Sequence, residues 1–409
     1  MIEQTKVLPK FTVGVVPCEG VPAAAFQLTF IPRGCIIAYA AHHGISDGTS
    51  YEQFLTMWSR NSHAASQGTL FAIKQKPSDL LIPLLEGGKL TPEIIDETIT
   101  LWADNRLRQS GQFAPIKKSF EPRNSKLVAE KPAPSQLEEI KKLLPHVKND
   151  QREPFPEGYV VPNVKTIMWH FPQTQVERLK EEAMVQLGVG KWISTYDAVM
   201  ALLWQSVTRA RLAEKKLDKK DMSLFGHIVD VHKKLGVDAP FMGVTSMIPK
   251  CGPITIKNLV SPAAHPSVAL AIRDSISSLT QEYLDAYNQL ATATTDKRNL
   301  RISQWFSGQD LAATSWMAMQ SYKTHNFGFG LPRAVRWPSP QVEWVCLYPT
   351  RSGMEGTDED EGIEVCVALE AGCAKRMLDD PMLRWYAKPR GNEDDVQEIV
   401  RQWKHLRNR

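Results

Sequence analysis

A chain of 409 residues can hold one large domain or two ordinary ones, and 43% hydrophobic with 23% charged residues is a soluble globular balance. A formal net charge of +4 without a Lys/Arg tract argues against nucleic-acid binding, and no apolar run of about 18 residues is present to span a bilayer. Six cysteines (Cys18, Cys35, Cys251, Cys346, Cys366 and Cys373) form no C-x-x-C pair, which argues against a zinc or redox motif.

Several of those cysteines lie in apolar runs, where a free thiol behaves as a small hydrophobe. A reducing setting fits them. The apolar stretch "FTVGVVP" is short and ends at Pro17, so no signal peptide is read there. A cytoplasmic protein is expected.

In chain order, "AAFQLTF" and "CIIAYAA" are β-leaning runs separated by "IPRG", which predicts a hairpin. Tyr51, Phe54, Leu55 and Trp58 fall at i, i+3, i+4 and i+7, the stripe of an amphipathic helix. "TPEIIDETITLW" begins with Thr91 as a cap and Pro92 in the first turn. "SQLEEIKKLL" places Glu138 three residues after Ser135, a capping box. Pro145, Pro154, Pro156 and Pro162 then punctuate a polar stretch. The spacing predicts one half over 1–145, a crossover linker over 146–164, and a second half over 165–409.

In the second half "KTIMWHF" predicts a strand, and "QTQVERLKEEAMVQLG" a helix stopping at Gly188. "ISTYDAVMALLWQSVTRARL" predicts a helix capped by Ser194 or Thr195. "SLFGHIVDV" reads as one strand, and "PSVALAIRDSISSLTQEYLDAY" as one long amphipathic helix. "QVEWVCLYP" and "IEVCVALE" read as paired strands around "GMEGTDEDEG", an acidic tip expected to be a solvated loop. There is no internal repeat. Strands and helices mix without strict alternation, so the fold class is α/β with mixed sheets.

The chemistry concentrates in "HHGISDG", residues 42–48. His43 and Asp47 lie four residues apart across a turn, and histidine is the side chain suited to proton transfer near neutral pH. His42, His43 and Asp47 are zinc ligands by type, but adjacent strand residues point to opposite faces and no third ligand is evident. No metal is expected. "GISDG" also matches G-x-S-x-G, a nucleophile elbow with Ser46 as nucleophile. That fold needs several strands before the elbow, and His170, His227, His232, His265, His325 and His405 offer no evident triad signature. A serine hydrolase remains the alternative.

With these residues in view, "HHGISDG" resembles the H-H-x-x-x-D-G motif of the BAHD-type acyl-CoA-dependent acyltransferases, including the fungal trichothecene acetyltransferase-like branch. "TSWMAMQSYKTHNFGFGLPRAVRW" resembles that family's T-S-W segment followed by D-F-G-W-G-x-P. "ISTYDAVMALLWQSVTRAR" resembles its S-T-x-D-A helix, "IVDVHKKLG" its V-D-x-R strand, and "IEVCVALEAGCAKRML" its C-terminal strand and helix. The order is the family's, over almost the whole chain. Asn326 and Phe329 replace the aspartate and tryptophan of D-F-G-W-G, and Gly243-Val244 replaces Gly-Asn. His232 stands where the family's arginine pairs with the motif aspartate. The segment that relatives carry before the motif is expected to be shortened here.

The resemblance implies two chloramphenicol-acetyltransferase-like halves with a channel between them. It implies His43 as general base, with no acyl-enzyme, and Asp47 as the residue that orders the motif loop. Thr314 and Trp316 are implied at the oxyanion or acceptor, and Ser194 and Thr195 at the pantetheine arm, where a plain helix cap accounts for them equally. Gly48, Asn326, Gly328 and Gly330 are implied as structural loop residues. Acyl-CoA is the implied co-substrate, with no permanently bound cofactor, and a small secondary-metabolite-like alcohol or amine the acceptor. A monomer without nucleic-acid or membrane partners is expected. A catalytically impaired CoA-binding paralogue is the further alternative, motivated by Asn326, His232 and the shortened start.

Overall fold

A computed structural model describes residues 24–41, 46–69, 142, 147–149, 164–215, 217–236, 243–293, 300–302, 308–337, 343–354, 356–357 and 359–390. The helix predicted at Thr91 lies outside the described residues. Of the predicted 135–144 helix only Lys142 lies inside them, and it is helical.

The first described unit is the hairpin β1 (Ala24–Ile31) and β2 (Gly34–Ala41), antiparallel, with Phe26 opposite Tyr39. Arg33 takes the turn at φ 64°. The helix α1 (Gly48–Ser66) follows. Its predicted apolar stripe packs on the hairpin through rings. Phe26 stacks on Tyr39 at 4.9 Å and on Phe54 at 5.5 Å, and meets Trp58 edge-on at 4.9 Å. Such pairs contribute about 0.5–1.5 kcal/mol each beyond their burial.

The remaining elements are β3 (Val147–Asn149), β4 (Val164–Phe171), α2 (Gln173–Leu187), α3 (Thr195–Lys215), β5 (Met222–His227), β6 (Val229–Asp230), β7 (Ser246–Met247) and β8 (Lys250–Thr255). Then come α4 (Ile256–Leu259), α5 (His265–Ser277), α6 (Gln281–Ala293), β9 (Leu300–Ile302), β10 (Leu311–Ser315), α7 (Ser321–Thr324), β11 (Trp344–Leu347), β12 (Ile363–Glu370), α8 (Ala371–Leu378), α9 (Pro381–Tyr386) and β13 (Lys388–Pro389).

Seven strands form one mixed sheet in the order β13-β4-β12-β11-β10-β5-β8. Strands β5, β10 and β11 run parallel, and the other pairings are antiparallel. The C-terminal ends of the parallel strands therefore open together, into Ile228–Asp230, Trp316 and Tyr348.

The pleat divides the sheet's two faces. One carries Trp169, Phe171, Val345, Leu347, Val365 and Val367 into a core shared with α2, α3, α5 and α8. Helix α3 is buried nearly all round, so its polar groups need partners. Trp204 Nε1 donates to Ser223 Oγ at 2.9 Å, and Gln205 Nε2 donates to the carbonyls of Leu259 and Ser261. The other face aligns Thr314, Cys346, Cys366 and Met168 across four neighbouring strands. Tyr348, Trp316 and Trp337 pack there.

Three expectations are corrected. The single strand read in "SLFGHIVDV" is two, β5 and β6. Ile228 N–H turns to Ala313 O, and β6 leaves the sheet to pair with β7. The single helix over 266–287 is α5 and α6, broken at Ser278–Thr280. Ser278 Oγ bonds Ser275 O, and Thr280 Oγ1 accepts from Tyr283 N–H to begin the new helix. Hydroxyls that bond nearby backbone compete with the helical ladder. The acidic tip is not merely solvated: Asp360 accepts from Thr174 N and Oγ1 at the start of α2, and Glu361 is buried against Arg390. Within the predicted linker, β3 pairs antiparallel with β9.

Candidate functional site

The site is built on the N-terminus of α1. Asp47 caps it: Oδ1 accepts from Ser50 N–H at 3.1 Å. Its other oxygen accepts from Thr245 N–H at 2.9 Å and Ser246 Oγ at 3.0 Å. Asp47 is 2% exposed, so these three bonds replace its hydration. Ser50 Oγ also donates to Gly243 O at 2.5 Å. The motif helix is thereby tied to the 243–246 loop, nearly two hundred residues away.

His232 does not hold Asp47. Its Nδ1 lies 2.7 Å from Asp230 Oδ2, and its N–H donates to Oδ1. A histidine is shorter than the arginine implied at this position, and it is spent two residues away. Asp230 also accepts from Thr49 Oγ1 at 2.7 Å and Thr245 Oγ1 at 3.1 Å. Partial burial works against its ionisation, but the His232 and Thr49 donors outweigh it and hold the carboxyl below its ordinary range.

His42 and His43 lie outside the described residues. The flanks of that segment are held on both sides, by Tyr51 Oη donating to Ala41 O at 3.0 Å and by the Asp47 bonds. Ser46 is buried, and its Oγ reaches Asp47 O at 3.5 Å. Among the described residues no histidine is hydrogen-bonded to it, and no group of three His, Cys, Asp or Glu could hold a metal.

The T-S-W segment reaches the same helix start. A methyl group built at Gly48 would lie 3.1 Å from Met319 Cε and 3.9 Å from Trp316 Nε1. Thr314 is half-buried in β10, opposite Cys346 of β11. Trp316 is also half-buried and packs edge-on to Tyr348, with ring centroids 5.8 Å apart.

The rest of α1 lies along residues 320–328. Glu52 accepts from Gln320 N at 2.7 Å and Ser321 Oγ at 2.8 Å, and stands 3.4 Å from His325 Nε2. His325 also meets Thr56 Oγ1 at 3.3 Å. Burial lowers its pKa, although Glu52 pulls the other way. Asn326 Oδ1 accepts from the N–H groups of Gly328 and Gly330, bracing the "NFGFG" loop. Gly328 takes φ 106°, and a methyl there would meet Ser66 Oγ at 2.6 Å. Gly330 has φ 110° and open space around it.

Ser194 and Thr195 begin α3 at the same end of the sheet. Ser194 accepts from Asp197 N–H at 3.3 Å while Asp197 accepts from Ser194 N–H at 2.6 Å, a reciprocal cap. Arg273 donates to both side chains. Ser194 is thus engaged as a cap, and Thr195 is half-buried beside it.

Thr245, Ser246, Asp230 and Glu52 were not singled out from the sequence as site residues, and His325 stood there only as one of six downstream histidines. Apart from the Asp230–His232 contact, their partners lie 15 or more residues away in the chain, and no spacing signals them.

Comparison with known proteins now adds to the geometry. The model of the Transferase family matches residues 3–377. A trichothecene 3-O-acetyltransferase of Saccharomyces cerevisiae is 27% identical over 345 residues, covering 81% of this chain and 60% of its own length. An eremophilane O-acetyltransferase of Penicillium roqueforti is 24% identical over 225 residues, covering 54% of this chain and 46% of its own. The chain thus spans less than two thirds of these relatives. A solved structure of F. graminearum TRI101 with coenzyme A and T-2 mycotoxin superposes with a TM-score of 0.65 at 17% identity, over 94% of this chain and 74% of that one. At that identity the likeness shows the fold: a mixed α/β architecture built on a large mixed sheet. Among the described residues no helix is long and apolar enough to cross a membrane.

Proposed function

The chain belongs to the Transferase family, the BAHD-type acyltransferases, and from that premise we propose that it moves an acyl group, acetyl foremost, from acyl-CoA to a small acceptor. The acceptor offers a hydroxyl or an amine, His43 is the general base, and no acyl-enzyme forms. The observation that carries this reading is a convergence: the Asp47–Gly48 helix start, the Thr245–Ser246 loop and Trp316 meet at one end of the sheet. Relatives whose names are acetyltransferases, and a structural neighbour holding coenzyme A with a small-molecule acceptor, support the same class.

An alcohol is a poor nucleophile at neutral pH. His43, as neutral imidazole, takes its proton while the oxygen attacks the thioester carbonyl. A placed base contributes about 10²–10⁴ in rate. Holding two reagents together and stabilising the oxyanion supply the rest. The Trp316 N–H and the Thr314 hydroxyl are the donors offered to that oxyanion. The tetrahedral adduct collapses with the CoA sulfur as leaving group. With a thiol pKa of about 8.5, departure is easy and the proton returns from His43.

Asp47 keeps the motif loop in place and takes no proton. With Ser194 engaged as a cap, contact with the pantetheine arm falls to Thr195. Residues 1–145 and 165–409 make the two halves, with 146–164 crossing between them. The protein works as a cytoplasmic monomer with acyl-CoA as co-substrate and no resident cofactor.

The test is acceptor-dependent thiol release from acetyl-CoA across a panel of alcohols and amines. Release that requires both the protein and an acceptor is expected. Coenzyme A binding by calorimetry without turnover on any acceptor would replace this reading with a non-catalytic binder.

A further inference from the structure

The carboxylate of Asp230 serves two segments at once. Oδ1 accepts from His232 N–H at 3.0 Å, on its own strand's extension, and from Thr245 Oγ1 at 3.1 Å. Oδ2 lies 2.7 Å from His232 Nδ1 and accepts from Thr49 Oγ1, in the first turn of α1, at 2.7 Å. Thr49 stands two residues after Asp47, and Thr245 is the residue whose N–H donates to Asp47. Among the described residues, the donors to Asp47 are all neutral: Ser50 N–H, Thr245 N–H and Ser246 Oγ. No cation among the described residues adds to these bonds, so the geometry of the cage also depends on what holds Thr49 and Thr245.

We propose that Asp230, gripped by His232, is a positioning residue for the transfer reaction: it clamps Thr49 to Thr245 and so fixes the motif loop relative to the 243–246 loop. This rests on the function proposed above. Asp230 acts through Thr49 and Thr245 and touches neither reagent. Its side chain is 31% exposed, whereas Asp47 is buried. Pairs this exposed contribute little to global stability. Losing Asp230 therefore leaves the fold intact and loosens the loop, whereas a purely structural residue would lower stability and leave the loop's relative geometry alone.

The test compares Asp230→Ala, Thr49→Val and Thr49→Ser with wild type by two independent readouts. The first is amide hydrogen exchange in peptides covering 47–53 and 243–249, with peptides from β4 and β12 as internal controls. Exchange of the Ser50 and Thr245 amides is expected to speed up about tenfold in Asp230→Ala and Thr49→Val, with the control peptides unchanged. The second is steady-state thiol release. A fall in kcat of about fivefold to tenfold, the scale of one neutral hydrogen bond, is expected with KM for acyl-CoA unchanged. Thr49→Ser, which keeps the hydroxyl, restores both. Unchanged exchange in both loops overturns the proposal, and so does a rise in KM for acyl-CoA at constant kcat. If wild type releases no thiol on any acceptor, the function reading fails by itself, and the exchange data still decide whether Asp230 closes the cage.

Discussion

Replacing Asp47 by asparagine keeps the side chain's shape and removes one acceptor. In the native protein Oδ1 accepts from Ser50 N–H at 3.1 Å, and Oδ2 accepts from Thr245 N–H at 2.9 Å and Ser246 Oγ at 3.0 Å. An amide offers one oxygen and one NH2, so one of the two backbone donors must face another donor. With the oxygen toward Ser50 the helix cap survives, and Ser246 can rotate its hydroxyl to accept. Thr245 N–H is then left buried without an acceptor, which costs about 1–3 kcal/mol. With the amide flipped, Thr245 is satisfied and the cap is lost, for about 1 kcal/mol plus the stranded Ser50 N–H. The amide takes the cheaper orientation, so Asp47→Asn loses about 1–3 kcal/mol. Asp47→Ala, which abandons all three bonds in a site 2% exposed, loses about 3–5 kcal/mol. Set against a typical net stability of about 5–15 kcal/mol, both losses are measurable. Urea unfolding followed by tryptophan fluorescence gives the midpoints, with unchanged slopes showing that the unfolded state is the same. An Asp47→Asn variant within about 0.5 kcal/mol of wild type would refute the caging of this carboxylate.

Two further predictions follow from the packing and from burial. In Gly328→Ala the new methyl meets Ser66 Oγ at 2.6 Å and Cβ at 2.7 Å, at φ 106°, so the "NFGFG" loop must lift off the end of α1. A loss of about 1–3 kcal/mol is expected by thermal or urea unfolding, and unchanged stability would contradict both the docking and the backbone conformation. Burial pushes the His227 pKa down to about 3, with Arg273 adding to the shift. The native ring stays neutral between Tyr196 Oη at 3.2 Å and Ser275 Oγ at 2.9 Å. The unfolded chain takes up this proton below about pH 6.5, the native state only below about 3, so His227 makes stability fall on acidification through that window. One proton is worth about 1.4 kcal/mol per pH unit, and His227→Gln should flatten the slope between pH 6 and 4 by about that amount. An identical slope would show that His227 is not held neutral.

The hairpin and α1 were legible because their periods agree with the rings they bury: Phe26 and Tyr39 at period two, Phe54 and Trp58 at helical spacing. The mixed sheet was legible in the same way, from β4, β11 and β12. The break at Ser278–Thr280 was hidden because the apolar stripe runs through it, Leu279 and Leu284 both reaching one buried cluster. Only the hydroxyl bonds of Ser278 and Thr280 stop the helix. The acidic tip misled for another reason. Its charges meet α2 and Arg390, partners that local composition does not reveal. At the site, the motif residues Asp47 and Gly48 stood out from their spacing. Thr245 and Ser246, which hold Asp47, carry no signal of their own, and the turn of His232 toward Asp230 is a matter of side-chain reach.

The central claim is that one imidazole removes the acceptor's proton. Its most direct test is the rate of thiol release from acetyl-CoA at saturating acceptor, comparing wild type with His43→Ala at matched folding and coenzyme A affinity. The account predicts a rate lower by about 10²–10⁴ in the variant. Equal rates, above the uncatalysed background, would contradict it.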